Sequence, residues 1–467
     1  VPNTYTVSNV SDGVVANPGD LPGSLRQAVY DANHHAGADS IVFNSSLSII
    51  YLTAGELYVT DSVTITGQGP GNTVDGSGTY RVFEIHRSGG SAISVTITNL
   101  TIENGFFDGS GGGIFDNSEN LTLSNCTLGF NSATSNGGAI YVTDAPSLTM
   151  SSCTITNNSA SNGYGAGLYM DDPDDADGSA SISLCTFGTS GNGNSASVGG
   201  AIYLYNLDAT ITIDTSTIAY NTATSTGAGG GAGGIGIDMA TQVTVKNDTI
   251  ANNSAARDGG GVYYPHSIVN TTTYNIQNST IYGNTADYGG GVFVDGDSSG
   301  TTDFRVYNST IAYNTANHSG SYVGGGIGFA AVTNTSAIYL DSTIVALNAT
   351  PNGGTNKGAD IGGNLSQSVE EHYGLIKDDS EGGWTLASAS ANNTYNGYDP
   401  GFATGTLTNN GGPTDTLALA STSHAVDNGD NPLSLDTDQR IGYADNARVS
   451  GTAADIGAYE YYQAPPP

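Results

Sequence analysis

One stretch of this chain is written repeatedly. Residues 278–294 read NSTIYGNTADYGGGVFV and residues 308–329 read NSTIAYNTANHSGSYVGGGIGF; degraded copies start at Cys126, Cys153, Cys185, Ser216, Asp248 and Ser342, with anchors 27 to 33 residues apart. A period of that length marks a repeat architecture. Each copy holds short β-branched or apolar runs such as TI, GVFV or AIYV, and a third follows, as in VTV at 243–245. No copy places apolar residues at i, i+3, i+4 and i+7 over ten positions, which excludes helical repeats. Three short strands separated by turns cannot bury an apolar face alone, but a coil stacked on the next coil gives every strand a parallel neighbour. The chain is therefore expected to be all-β, a parallel β-helix (solenoid) growing as one elongated domain with coils ~4.8 Å apart.

Two features of the repeat follow from stacking. Asn131, Asn158, Asn221, Asn253, Asn284 and Asn314 each fall five residues after their anchor, at the end of the TI run. Asparagine tolerates the left-handed turn conformation, and its amide can bond the equivalent amide one coil away, so an asparagine ladder is expected. Glycine pairs and triplets, such as Gly137 and Gly138 or Gly289 to Gly291, precede the next apolar run, where the chain must turn sharply. Cys126, Cys153 and Cys185 occupy one repeat position in successive coils, where later coils carry Ser or Asp. An odd number of in-register thiols favours free, half-buried cysteines over a bridge.

The Ile-x-x-Asn element (Ile155 to Asn158, Ile281 to Asn284) paired with Gly-Gly-Ala-Ile (Gly137 to Ile140, Gly199 to Ile202) resembles the repeat of the polymorphic outer-membrane protein family and of bacterial right-handed β-helix surface proteins, over about residues 95–365. The resemblance implies a right-handed coil and a cell-surface location, and no reaction. The GSLRQA stretch with the following GADSIVF is similar to the start of many such proteins. From Asn409 through Asp438 and Gln439 to ADIGAYE at 454–460, the chain resembles the region called choice-of-anchor Q, which follows bacterial surface β-helices.

Residues 1–40 differ from the rest. TYTV at 4–7 alternates like a strand, and Ser24 with Gln27 three residues on is a capping-box start for a short helix with Leu25, Ala28, Val29 and Ala32 on one face. Such a helix would cap the open end of the coil. The expected order is a cap over 1–40, a shaft over 41–365 with regular repeats from about 95, irregular coils over 366–460, and a Tyr/Pro-rich tail over 461–467. Forty-three acidic residues against ten basic ones give a net charge of −33, a surface that repels nucleic acid and anionic lipid and attracts divalent cations. No run of eighteen apolar residues is present, so no membrane span is expected, and the chain starts without a signal-peptide pattern, as a processed, secreted chain would.

The chemistry-bearing candidates are few. Asp171, Asp172, Asp174, Asp175 and Asp177 before Gly178 could offer oxygen ligands to Ca²⁺ from one loop, although the spacing is not an EF-hand and a solvated acidic loop is the plainer reading. No cofactor is required. Sequons at Asn99, Asn120, Asn125, Asn247, Asn278, Asn308 and Asn364 are candidate glycosylation sites, though the repeat copies several of them. Tyrosines outnumber tryptophan 27 to 1, a surface bias that suits stacking on sugars or on another subunit. Tyr5 and Val7 in the first strand, and Tyr459, Tyr461 and Tyr462 at the end, are candidate contacts for head-to-tail assembly. Polysaccharide lyases and glycosidases on this fold need paired carboxylates or Ca²⁺ beside a basic residue, and Lys246, Lys357, Lys377 and the seven histidines form no sequence cluster. The leading expectation is a non-enzymatic extracellular rod, an adhesin-like stalk or fibre subunit whose partners are itself or surface glycans. The alternative is a carbohydrate-binding or carbohydrate-cleaving β-helix.

Overall fold

The computed structural model describes residues 1–462 except 69–70, 145–146, 173–177, 208–209, 228, 265–271, 296–301, 321–322, 331–336, 353–357, 364–367, 379–383 and 387–393. The chain divides into two compact units, Val1–Thr210 and Ile211–Pro467. Each is a right-handed parallel β-helix, the hand that parallel crossovers take. No helix among the described residues is long and apolar enough to cross a membrane.

In the first unit a typical coil runs Ser94–Thr98, Thr101–Glu103, Phe106–Phe107 and Ile114–Asn117. We call these the long, threonine, alanine and aromatic strands after their most frequent side chains. Each pairs in parallel and without slippage with the next coil: Val95 with Leu121, Thr101 with Thr127, Phe106 with Ser132 and Ile114 with Ile140. The alanine strand is a fourth element beyond the three runs evident in the repeat. It is only two residues long in most coils, and its inward Ala133, Ala160 and Ala196 are small enough to fill a narrow corner. Inward positions of successive long strands carry Ile97, Leu123, Met150 and Ile182, all fully buried.

The N-terminal helix is Leu25–Asn33, and Leu25, Ala28, Val29 and Ala32 are buried against the strands Thr4–Val7, Asp39–Phe43 and Leu57–Val59. The Ser24 side chain accepts from the Gln27 amide at 3.1 Å, but the reciprocal half of the capping box is redirected: Gln27 Oε1 accepts from Leu21 N at 2.9 Å. The strand Thr4–Val7 lies in the first unit's own sheet, Tyr5 beside Ile41 and Val7 beside Phe43. Val7 is fully buried, and Tyr5 donates its hydroxyl to Asp31 O at 3.4 Å. The strand is the outermost of that sheet and pairs there through one edge only, with Asp39–Phe43.

The second unit repeats the four-strand coil, with Gln242–Lys246, Thr249–Ala251, Ser254–Ala255 and Val262–Tyr264 as a typical turn. Thr249, Thr280, Thr310, Ile344 and Leu375 succeed one another in register along its threonine strands. That register places Thr343, not Ser342, in the anchor column, one residue from the sequence expectation. The thiols of Cys126, Cys153 and Cys185 are free and buried, and each donates to the carbonyl two residues earlier, as Ser279, Ser309 and Thr343 hydroxyls do. One column position thus serves one hydrogen bond with interchangeable small donors.

The ladder asparagines are themselves not left-handed. The residue before each one is, including Phe130 (φ 57°), Asn157 (57°), Tyr220 (62°), Asn252 (55°) and Tyr313 (59°). This corrects the turn assignment, and the division of labour is physical. A residue that is exposed or half-buried takes the strained corner, and the asparagine side chain that follows lies in the interior, where it bonds the next coil. At the opposite corner Gly137 (φ 65°) is obligatory, since a Cβ there would stand 2.5 Å from Ile140 O.

Candidate functional site

The ladder is a continuous chain of side-chain amides within each unit. In the first, Asn131 donates to Asn158 at 3.1 Å and Asn158 to Asn194 at 2.9 Å. In the second, Asn221, Asn253, Asn284, Asn314 and Asn348 donate in turn at 2.9 to 3.0 Å, and Asn348 ends on Asp360 at 2.9 Å. Most amides also bond a carbonyl one coil back, as Asn284 does to Ile250 O at 2.9 Å. Asn194 and Asn348 extend the expected set. All of these groups are consumed by stacking.

Outward aromatics behave the same way. Phe115, Tyr141, Tyr169 and Tyr203 stack with centroids 5.2, 5.3 and 6.1 Å apart and planes within 10°. Their faces meet one another, so this column is not an open platform for sugar rings.

Asp171 is half-buried beside Tyr141, whose hydroxyl donates to it at 3.3 Å, and burial raises its carboxyl above the usual range. Asp172 is buried. Asp174, Asp175 and Asp177 lie outside the described residues. Among the described residues no three His, Cys, Asp or Glu groups converge as a metal site would require.

The sequons separate into two groups. Asn99 and Asn125 are exposed and Asn120 is half-buried, whereas Asn247, Asn278 and Asn308 are buried. Asn364 lies outside the described residues. The buried three lie under a strap formed by residues 399–460. Asn278 donates to Thr437 O at 3.3 Å and Asn308 to Asp430 O at 2.8 Å, while Thr414 donates to Asn247 O at 3.1 Å. Glycosylation at these three positions is corrected, since a glycan there would displace the strap.

The strap reads the neighbouring threonine column as well. Thr249 donates to Asp415 O, Thr280 donates to Gln439 Oε1, each at 2.6 Å, and Thr310 accepts from Ala458 N at 3.1 Å. Where the column turns to Ile344 and Leu375, the strap answers with Leu419, Ala425 and Ile456, and Tyr459 and Tyr461 pack against that cluster. Tyr459 and Tyr461 are half-buried on this cluster, whereas Tyr462 is exposed. Buried ions brace the strap: Arg440 pairs with Asp438 at 2.6 Å and lies 4.1 Å from the Tyr459 ring centre, and Arg448 faces Glu460 at 4.0 Å. Burial pushes the Glu460 carboxyl up to about 8 despite Arg448.

One cluster has an acid–base character and escaped the sequence reading. Arg81, buried between the Phe107 and Phe115 rings at 3.7 and 4.8 Å, uses one nitrogen to bind Glu56 at 2.8 Å and Glu84 at 2.6 Å. Its other donors hold Gly111 O and Ser110 O. The Tyr58 hydroxyl donates to Glu84, which raises the phenol to about 12. Burial raises Glu56 to about 7, with Arg81 opposing and Glu84 adding to the rise. The cluster is assembled from two successive aromatic strands, so only the coil register could have revealed it.

An open groove lies elsewhere on the first unit. It measures about 500 Å³ at the corner between the long and threonine strands, and Gln68, Asn99, Leu100, Thr101, Asn125 and Thr127 line it.

Residues 48–209 match the family of right-handed β-helix regions. That span covers most of the first unit. Among solved structures, the crystal structure of pectate lyase Pel9A is similar at 14% identity over 98% of this chain and 96% of that one, with a TM-score of 0.44. No curated protein matches the chain.

Proposed function

We propose that this chain is a non-enzymatic structural protein displayed outside the cell, an adhesin-like β-helical stalk. The observation carrying this reading is the use of the repeat's polar and aromatic side chains on one another. The asparagine amides bond along the stack, the outward rings stack face to face, and the outward threonines of the second unit are sealed by the chain's own strap. A repeat maintained for self-contact is under structural rather than catalytic demand. The side chains of Tyr459 and Tyr461 pack on the chain's own apolar cluster, which favours a separate stalk over a fibre joined through them. The test is electron microscopy of native protein across a concentration range, together with incubation on neutral and acidic polysaccharides with and without Ca²⁺. Separate particles and no new reducing or unsaturated ends are expected; chain cleavage would overturn the reading.

A second reading, a carbohydrate-cleaving β-helix, draws on the Glu56–Arg81–Glu84–Tyr58 cluster, where two carboxylates meet at one guanidinium and burial raises Glu56 to about 7, in the range a general acid needs. It requires that any polysaccharide cleavage fall at least a hundredfold in Glu84→Gln with the fold intact.

A further inference from the structure

The groove at Asn99 and Asn125 and the surface beneath the strap are the same repeat surface in two states. In the second unit the Asn-x-Thr corner of three coils, Asn247 to Thr249, Asn278 to Thr280 and Asn308 to Thr310, is buried by residues 399–460. Recognition there is of polypeptide: two asparagine amides donate to backbone carbonyls, Thr249 donates to another, Thr310 accepts a backbone N–H, and Thr280 meets a glutamine carboxamide.

In the first unit the corresponding Asn-x-Thr corners, Asn99 to Thr101 and Asn125 to Thr127, line an open groove. Asn125 donates to Asn99 at 2.6 Å, reproducing the bond from Asn278 to Asn247 at 2.8 Å. The Asn99 amide donor and the Thr101 and Thr127 hydroxyls make no hydrogen bond among the described residues, whereas Thr249, Thr280 and Thr310 are all bonded to the strap. Leu100, 2% exposed, provides an apolar floor, and Gly67 leaves room because a Cβ there would collide with Asn99 O. No charged side chain lines the groove, so it recognises its ligand through hydrogen bonds and apolar contact rather than an ion pair.

We infer that this groove docks a strap-type polypeptide segment of another chain, uncharged at the contact and presenting backbone carbonyls to Asn99 and a carboxamide or carbonyl to Thr101 and Thr127. The chain's own strap is already seated on the second unit, so the occupant comes from another chain. The inference is independent of whether the protein is a stalk or an enzyme.

The probe is a fluorescently labelled synthetic peptide of residues 409–440, titrated into the full chain, with a scrambled peptide as control. Saturable binding is expected, weakened at least tenfold by Thr127→Lys and by Asn99→Lys, and unchanged by Thr186→Lys, which lies in the same column outside the groove. Circular dichroism of each variant reports on folding. Absence of saturation, binding indifferent to both groove variants, or occupation of the groove by a neutral oligosaccharide in place of the peptide would overturn the inference. So would a covalent glycan on Asn99 or Asn125 in native material.

Discussion

The Thr280 hydroxyl donates to Oε1 of Gln439, 159 residues further along the chain, at 2.6 Å, and the same Gln439 returns its amide to Thr249 Oγ1 at 3.1 Å and Asp248 O at 3.0 Å. One buried carboxamide thus bridges two coils and ties the strap to the second unit. Gln439→Leu preserves the volume but leaves the Thr280 hydroxyl unpaired and buried and removes one of the two donors to the Asp248 carbonyl. The expected cost is about 2–4 kcal/mol, read as a lower denaturant midpoint. Limited proteolysis should cut the variant within 399–460 before the coils unfold.

Ile344 stands where the preceding coils carry an outward threonine, and it is 1% exposed in a cluster with Leu419 and Ile456. Restoring the repeat with Ile344→Thr removes apolar burial and puts a hydroxyl into that cluster, for a loss of about 1–3 kcal/mol. The reverse exchange, Thr154→Ile, falls on a half-exposed outward position and should stay within about 0.5 kcal/mol of the parent. Chemical denaturation of the two variants in parallel checks the contrast. Equal losses would mean that the strap contributes nothing at Ile344.

The coil and most of the ladder were legible because stacking demands the same side chain at the same interval, and that demand is written in the sequence. Where the interval breaks, legibility fails. Asn194 follows a longer turn after Cys185, and Asn348 was hidden by the one-residue shift that puts Thr343 rather than Ser342 in register with Ser309. The alanine strand, two residues in most coils, is too short to show any periodicity. The strap had a signal in the outward apolar Ile344 and Leu375, which break a threonine column, but its path depends on contacts more than 100 residues apart. Glu56, Arg81 and Glu84 are brought together only by the register of Leu57 with Phe83, which no local pattern encodes.

Asn284 occupies the middle of the second unit's ladder. Its amide donates to Asn314 Oδ1 at 3.0 Å and Ile250 O at 2.9 Å, and its oxygen accepts from the backbone and side chain of Asn253 at 2.9 and 3.0 Å. Asn284→Ala leaves the Asn253 backbone N–H unpaired in the interior and removes the side-chain donor to Ile250 O, which should cost about 2–4 kcal/mol. Asn284→Asp keeps the acceptor but loses the donor, and it buries a charge or a strained proton, so it should be at least as harmful. A thermal melt of each variant checks the order, and hydrogen exchange should show the loss concentrated in the coils around Asn253, Asn284 and Asn314.

Several buried carboxyls hold their protons more tightly in the folded chain than in the unfolded one. Burial is the leading cause in each: it raises Asp341, Asp360 and Asp455 to about 6, Asp258 to about 7 and Glu460 to about 8. Between their unfolded values, about 4, and these folded values, the folded state binds more protons than the unfolded state, so stability must fall as pH rises through that window. The groups shifted the other way, Asp12, Asp20 and Asp399, act below pH 4 and do not cancel the trend. The melting temperature is therefore expected to be higher at pH 5 than at pH 8, and relief of repulsion within a chain of net charge −33 adds to the same sign. Asp258 isolates the buried contribution, since its carboxyl is 3% exposed and Asp287 and Asp295 add to the burial against Arg257. Asp258→Asn should raise the melting temperature at pH 8 and leave it nearly unchanged at pH 5, narrowing the gap. A gap unaltered by Asp258→Asn would remove Asp258 from the groups that set the pH dependence.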